Sequence, residues 1–172
     1  MKNLREKAKD YAYEKHSSVN HFYDGLPYAE SHLKMVVEFI EKYIYLIPEN
    51  KRDLLFATGW LHDVLEDVHS ITFGDIKKEF GDEIAEIVYA CTNEKGRTRK
   101  ERANEKYYQG IRETPYATFI KLCDRFANLT YSLQSGSSMA EKYKKENPDF
   151  MVSVYVPGYD VMFEDLGILA NG

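Results

Sequence analysis

Cysteine is scarce: Cys91 and Cys123 are the only two in 172 residues. Neither sits in a CxxC spacing, which excludes a disulfide framework and a structural zinc site and leaves two buried thiols acting as small hydrophobes. No apolar run approaches the length needed to cross a bilayer. The opening residues 1–7 run straight into charge and lack the apolar centre of a signal peptide, so the expected location is the cytoplasm, with no membrane partner. Positive charge is also short, 23 Lys and Arg against 28 Asp and Glu, a formal net charge of -5. That balance argues against nucleic acid as the partner. An anionic small molecule stays open, because a bound metal and a few local cations outweigh the global sign. Strand-like alternation, internal repeats and linkers are missing too. The expected fold is a single all-α domain, a helical bundle over residues 1–172.

What is present is helical spacing and aromatic bulk, with 14 Tyr and 9 Phe for helix contacts. Leu4, Ala8, Tyr11 and Ala12 mark a first helix over about residues 4–15. Residues 17–28 form a turn-rich loop punctuated by Asp24-Gly25 and Pro27. A second helix begins near Ala29, carries His32, Val36, Val37, Ile40 and Ile44, and is closed by Pro48 and Asn50. A third runs through Leu54, Leu55, Ala57, Thr58 and Leu61 to end close to Asp67. Thr72 and Asp75 start a short helix that Gly81 stops. Asp82 caps the next, with Ile84, Ile87, Val88 and Cys91 on its apolar side. A basic run at 94–102 leads to a polar helix ending before Pro115. Residues 116–129 are apolar nearly all round, as in a central buried helix. Pro148 and Pro157-Gly158 break the rest into short helices. Lys142 to Lys145 read as surface residues, with a phosphate-reaching role for Lys142 or Tyr143 as the alternative, and Tyr155, Tyr159, Met162 and Phe163 have the spacing of core cover.

The chemistry gathers in Leu61-His62-Asp63-Val64-Leu65-Glu66-Asp67. On a helix His62 shares a face with Glu66, and Asp63 with Asp67. An imidazole beside a carboxylate can grip a divalent ion, leaving Glu66 and Asp67 to move protons. The bland alternative is a hydrogen-bonded core histidine followed by solvated helix-end carboxylates. Two ligands do not hold an ion. Asp124, a carboxylate in the middle of an otherwise buried helix, is the best remote candidate, with a salt bridge to Lys121 or Arg125 as its alternative. His32 is the other candidate.

His32, then His62-Asp63, then Asp124 stand in the H…HD…D order of the HD-domain metal-dependent phosphohydrolases. Gly25-Leu26-Pro27-Tyr28 before His32, the stretch 61–67, residues 80–84, Cys91-Thr92, and Lys121-Leu122-Cys123-Asp124-Arg125 through Asn128 together resemble the hydrolase domain of the RelA/SpoT group and its small metazoan SpoT homologue. The resemblance covers about residues 13–133. It implies one divalent ion, Mn²⁺, on His32, His62, Asp63 and Asp124, and a Glu66–Asp67 pair that activates or orients the attacking water. It also implies a phosphorylated nucleotide substrate, (p)ppGpp, cut at its 3′-diphosphate to give pyrophosphate and GDP or GTP. Lys15, His16 and Asn128 match positions near the nucleotide. Two departures stand out: Glu14 replaces an arginine, and residues 21–24 (His-Phe-Tyr-Asp) replace a basic loop. Arg97 and Arg99 in the basic run would compensate by folding over the pocket, the alternative being a solvated helix face. Two other readings remain: an HD nucleotidase or phosphatase acting on another nucleotide or dinucleotide phosphate, and a non-catalytic alarmone-binding or metal-sensing protein. The intact Glu66–Asp67 pair weighs against the last.

Overall fold

The computed structural model describes residues 1–172 as a bundle of helices with one two-stranded hairpin. Helix α1 (Leu4–Ser18) starts at Asn3, whose side chain accepts from the Glu6 amide while Glu6 reaches back to the Asn3 amide. Its buried residues are Ala8, Ala12 and His16, and the two small side chains let it lie close along α3 (Glu49–Leu61). The loop after α1 is more ordered than its turn signals suggest. Strands β1 (Phe22–Tyr23) and β2 (Leu26–Pro27) pair antiparallel around Asp24 and Gly25, at φ 52° and 77°. A two-residue hairpin turn requires two such left-handed residues, which aspartate and glycine tolerate.

A 3₁₀ turn at Tyr28–Glu30 leads into α2 (His32–Tyr43), so His32 opens its helix instead of riding inside it. Helix α2 stops at Tyr43, earlier than expected. A second 3₁₀ turn, Ile44–Leu46, follows, and Pro48 serves as the N-cap of α3. The third helix also departs from expectation. It ends at Leu61, residues 62–63 form a turn, and α4 (Val64–Asp67) is a separate single turn. Helix α5 (Phe73–Phe80) has the expected Thr72–Asp75 capping box and stops at Gly81. Asp82 is the first residue of α6 (Asp82–Ala90) and not its cap; it pairs with Lys77 at 2.9 Å, which holds its carboxylate away from the amides it would cap.

After the short α7 (Arg99–Arg102) and α8 (Glu105–Glu113), α9 (Ala117–Ser135) runs through the core with twelve of its residues buried, among them Asp124 and Arg125. Helices α10 (Met139–Val154) and α11 (Asp160–Asn171) complete the bundle. Pro148 does not break α10. It lies on the exposed side, while the neighbouring Asn147 and Phe150 are buried and hold the two halves in line despite the missing amide. Met162 is fully buried as expected, whereas Tyr155 is exposed, its hydroxyl donating to Asp160.

Two apolar clusters support the site from either side. The larger joins α2, α3, α6 and α8 to α11 through Val36, Ile40, Leu55, Ile87, Phe119 and Phe126; the smaller joins α1 to α3, α5 and α6 through Ala12, Trp60, Leu61, Ile76 and Ile84. Helices α2 and α3 approach closely at Gly59, where an added Cβ would collide with Ile40 Cδ1 and sit 3.3 Å from Val37 Cγ2. Gly59→Ala should therefore destabilise the fold despite its better helix propensity. Overpacking costs about 1–3 kcal/mol and the propensity gain returns about 1 kcal/mol. A urea melt should show the midpoint falling with little change in slope.

Candidate metal centre

The break between α3 and α4 is what aims His62. Its Nδ1 lies 2.8 Å from the Gly59 carbonyl, so Nδ1–H donates there and Nε2 carries the free lone pair. That Nε2 is buried without any hydrogen-bond partner in the chain. Asp63 follows in the turn, His32 enters from the start of α2, and Asp124 from the middle of α9. His32, His62 and Asp124 are 5%, 1% and 6% exposed, so their donor atoms face one another and not bulk solvent.

The four donors converge. His32 Nε2 is 3.0 Å from Asp124 Oδ1 and 3.5 Å from Asp63 Oδ2; His62 Nε2 is 3.2 Å from Asp63 Oδ2 and 3.5 Å from Asp124 Oδ1. Ligands of one ion bound at about 2.0–2.2 Å stand roughly 2.9–3.5 Å apart, from octahedral to tetrahedral geometry. One ligand atom from each residue lies within 4.8 Å of the others. The orphaned His62 Nε2 and these spacings fit a single divalent cation.

Neighbours fix the carboxylates. The Tyr28 hydroxyl donates to Asp63 Oδ2 at 2.5 Å, Asn128 Nδ2 donates to Asp124 Oδ1 at 3.1 Å, and Lys121 Nζ donates to Asp124 Oδ2 at 2.8 Å. One Asp124 oxygen thus pairs with Lys121, the salt-bridge alternative read from the sequence, and the other faces the imidazoles. Arg125 turns away, its guanidinium over Phe150 and near Glu146.

The electrostatics call for positive charge. Burial works against the charged forms, yet the His62 and His32 imidazoles hold Asp63 well below the usual carboxylate range, and Lys121 with the same imidazoles does so for Asp124. Reciprocally, burial lowers His32 and His62 but the two carboxylates outweigh it and raise both. The raised imidazoles hold a proton more tightly than a free histidine, and an entering ion competes with that proton. Metal affinity should therefore increase as pH rises above the ordinary histidine range near 6.5. Calorimetric titration in buffers of different ionisation enthalpy should detect the released protons; a pH-independent affinity would contradict this.

Glu66 and Asp67 stand one turn beyond the pair. Asn93 Nδ2 donates to Glu66 Oε1 at 2.8 Å, leaving the second oxygen unclaimed by that bond. Burial, then the Asp63 charge, raises Glu66; burial, Asp63 and Glu66 push Asp67 up to about 8. Both line a cavity of about 740 Å³ together with His32, Asp63, Asp124 and Asn128, a volume within the roughly 300–1,000 Å³ of small-molecule sites. Arg99, Lys100, Arg102, Lys121, Arg125 and Lys142 also line it, against Asp63, Glu66, Asp67, Asp124, Glu146 and Asp149. Six formal charges of each sign cancel, so one divalent ion tips the cavity positive. Glu146 already ties down Arg99 through two bonds, at 2.9 and 3.1 Å.

Of the residues read from sequence, His32, His62, Asp63 and Asp124 meet, and Glu66, Asp67, Asn128 and Arg99 face the same cavity. Arg97 does not line it. The Thr98–Glu101 capping box fixes the local backbone, the Arg97 amide itself donates to Glu101, and the side chain is exposed. Lys15 is also outside, paired at 2.8 Å with the adjacent Glu14. His16 is buried beside Tyr28, ring centroids 4.9 Å apart, and lies outside the cavity lining. Sequence reasoning gave no role to Tyr28 or Asn93 and read Lys142 and Tyr143 as surface. The last two line the cavity because α10 packs along α9, a contact without local signal. Tyr28 carried one: it closes the Gly-Leu-Pro-Tyr stretch just ahead of His32.

The HD domain family profile matches residues 29–129. A Drosophila melanogaster protein, guanosine-3′,5′-bis(diphosphate) 3′-pyrophosphohydrolase MESH1, is 33% identical over 69 residues, which is 40% of this chain. The match spans 38% of that protein's length. A solved structure described as a metazoan ortholog of SpoT that hydrolyzes ppGpp and plays a role in starvation responses superposes with a TM-score of 0.72 at 21% identity, over 96% of this chain and 94% of the other. No helix here is long and apolar enough to cross a membrane.

Proposed function

The chain belongs to the HD domain family, and we propose that it is a metal-dependent phosphohydrolase that cleaves the 3′-diphosphate of (p)ppGpp, releasing pyrophosphate and leaving GDP or GTP. The observation that carries this reading is that His32, His62, Asp63 and Asp124 converge, and that three of them, His32, Asp63 and Asp124, line one cavity with Glu66, Asp67 and six Lys and Arg side chains matched by as many carboxylates. The Drosophila relative's name and the description of the superposed structure support the choice of substrate.

His32, His62, Asp63 and Asp124 would hold one divalent ion. We take it as Mn²⁺ from the family resemblance, since two imidazoles and two carboxylates also suit Fe²⁺, Co²⁺ and Zn²⁺. When bound, the ion supplies Lewis acidity to a phosphoryl group and to water. Tyr28 and Lys121 keep the carboxylates in place. Glu66, oriented by Asn93, takes the proton from the attacking water, and Asp67 holds that water in line. Lys100 and Lys142 are the groups available to the second phosphate arm, Arg99 and Arg125 being held by Glu146 beside them, and Asn128 is available to the nucleoside side. Burial of Asp124 and both ligand histidines keeps bulk water from competing. We place the chain in the cytoplasm, a reading supported by its two buried free thiols.

The acidic and aromatic loop at residues 21–24 favours one rival, a hydrolase of another nucleotide phosphate carrying less charge. Product analysis separates the two. Metal-stripped protein should leave ppGpp intact, and added Mn²⁺ should yield GDP and pyrophosphate in equal amounts. Orthophosphate as the product, or binding without turnover over several divalent ions, would overturn the reading.

A further inference from the structure

A second group of ligand-type side chains lies outside the cluster just described. The His16 and His21 Nδ1 atoms face each other at 3.0 Å, and His21 Nδ1 is 3.6 Å from Asp67 Oδ2. All three donors lie within 4.8 Å of one another. We propose that His16, His21 and Asp67 form a second divalent-metal site that takes a borderline transition ion such as Zn²⁺ or Co²⁺.

The donors are preassembled. His16 closes the buried side of α1 and is 1% exposed. The main chain pins His21, whose amide donates to the His16 carbonyl at 3.0 Å and whose carbonyl accepts from the Tyr28 amide at 3.0 Å. Its ring stacks on Tyr28 with centroids 3.8 Å apart and 15° between planes. Asp67 ends α4, and its amide donates to the Asp63 carbonyl at 3.0 Å. A tetrahedral ion with bonds of about 2.0–2.1 Å separates its ligands by roughly 3.3 Å, and the two spacings straddle that value. Ligation through His16 Nδ1 puts the ring N–H on Nε2, which is buried with no acceptor in the chain.

Two imidazoles and one carboxylate leave a coordination position free, as in zinc sites that bind a water or substrate atom. Tyr28 links the two groups, its hydroxyl on Asp63 and its ring against His21. Occupancy would take Asp67 from the attacking water it is assigned above and leave Glu66 as the proton acceptor.

Metal counting tests this without reference to turnover. Protein stripped with chelator, loaded with excess Co²⁺ and gel-filtered should carry two ions per chain by mass spectrometry. His21→Phe, which keeps the stack on Tyr28, should carry one, and so should Asp63→Asn, each with its own visible cobalt spectrum. Thermal melts of the metal-free variants identify any that fail to fold. One ion in the wild type that His21→Phe retains and Asp63→Asn loses would overturn the second site, as would two ions retained in His21→Phe. A single ion lost only in His21→Phe would support it and would count against the first cluster instead.

Discussion

Asp63→Asn should cut turnover of ppGpp by about 10³-fold or more, because losing the ion removes several kcal/mol of transition-state stabilisation and each 1.36 kcal/mol is tenfold. The substitution keeps the shape, and the amide oxygen can still accept from the Tyr28 hydroxyl. The metal-free fold should therefore survive. Asp124→Asn is a sharper perturbation of the same centre. It removes a ligand and also the partner of Lys121, a half-buried lysine whose ammonium is 2.8 Å from Asp124. Stranding one member of a buried pair costs about 3–5 kcal/mol. Thus Asp124→Asn should lower both activity and the melting temperature of the metal-free chain, while Asp63→Asn lowers chiefly the first. Equal melting temperatures for the two variants would show that the Lys121 pair contributes little.

Glu66→Gln should leave metal content unchanged and lower kcat by about 10²–10⁴-fold with a smaller effect on KM, the size of a lost general base. Glutamine can still accept from Asn93 at the position of Oε1, so orientation is kept and only the proton acceptor is gone. Loss of the ion together with activity would place Glu66 among the ligands. A kcat within threefold of wild type would remove it from the reaction.

The helices and the four converging residues were legible because both follow from local pattern. Apolar periodicity marks α1 and α6, a capping signal and a glycine stop mark α5, all-round apolar character marks α9, and the adjacent His62 and Asp63 with distant His32 and Asp124 form a recognisable order. Three features were not legible. The helix break at residues 62–63, where the His62 imidazole reaches the Gly59 carbonyl, leaves no trace in the apolar periodicity. Pro148 signals an end to a helix, but buried Asn147 and Phe150 keep α10 continuous. The cavity wall was only half visible. Lys142, Tyr143 and Glu146 reach it through the packing of α10 on α9, and His21 meets Asp67 only once the hairpin folds back over α1.

Crystals grown with Mn²⁺ and measured at the manganese edge test the central claim most directly. The account predicts an anomalous peak about 2.0–2.3 Å from His32 Nε2, His62 Nε2, an Asp63 oxygen and Asp124 Oδ1. No peak among these four side chains in protein that hydrolyses ppGpp would contradict it.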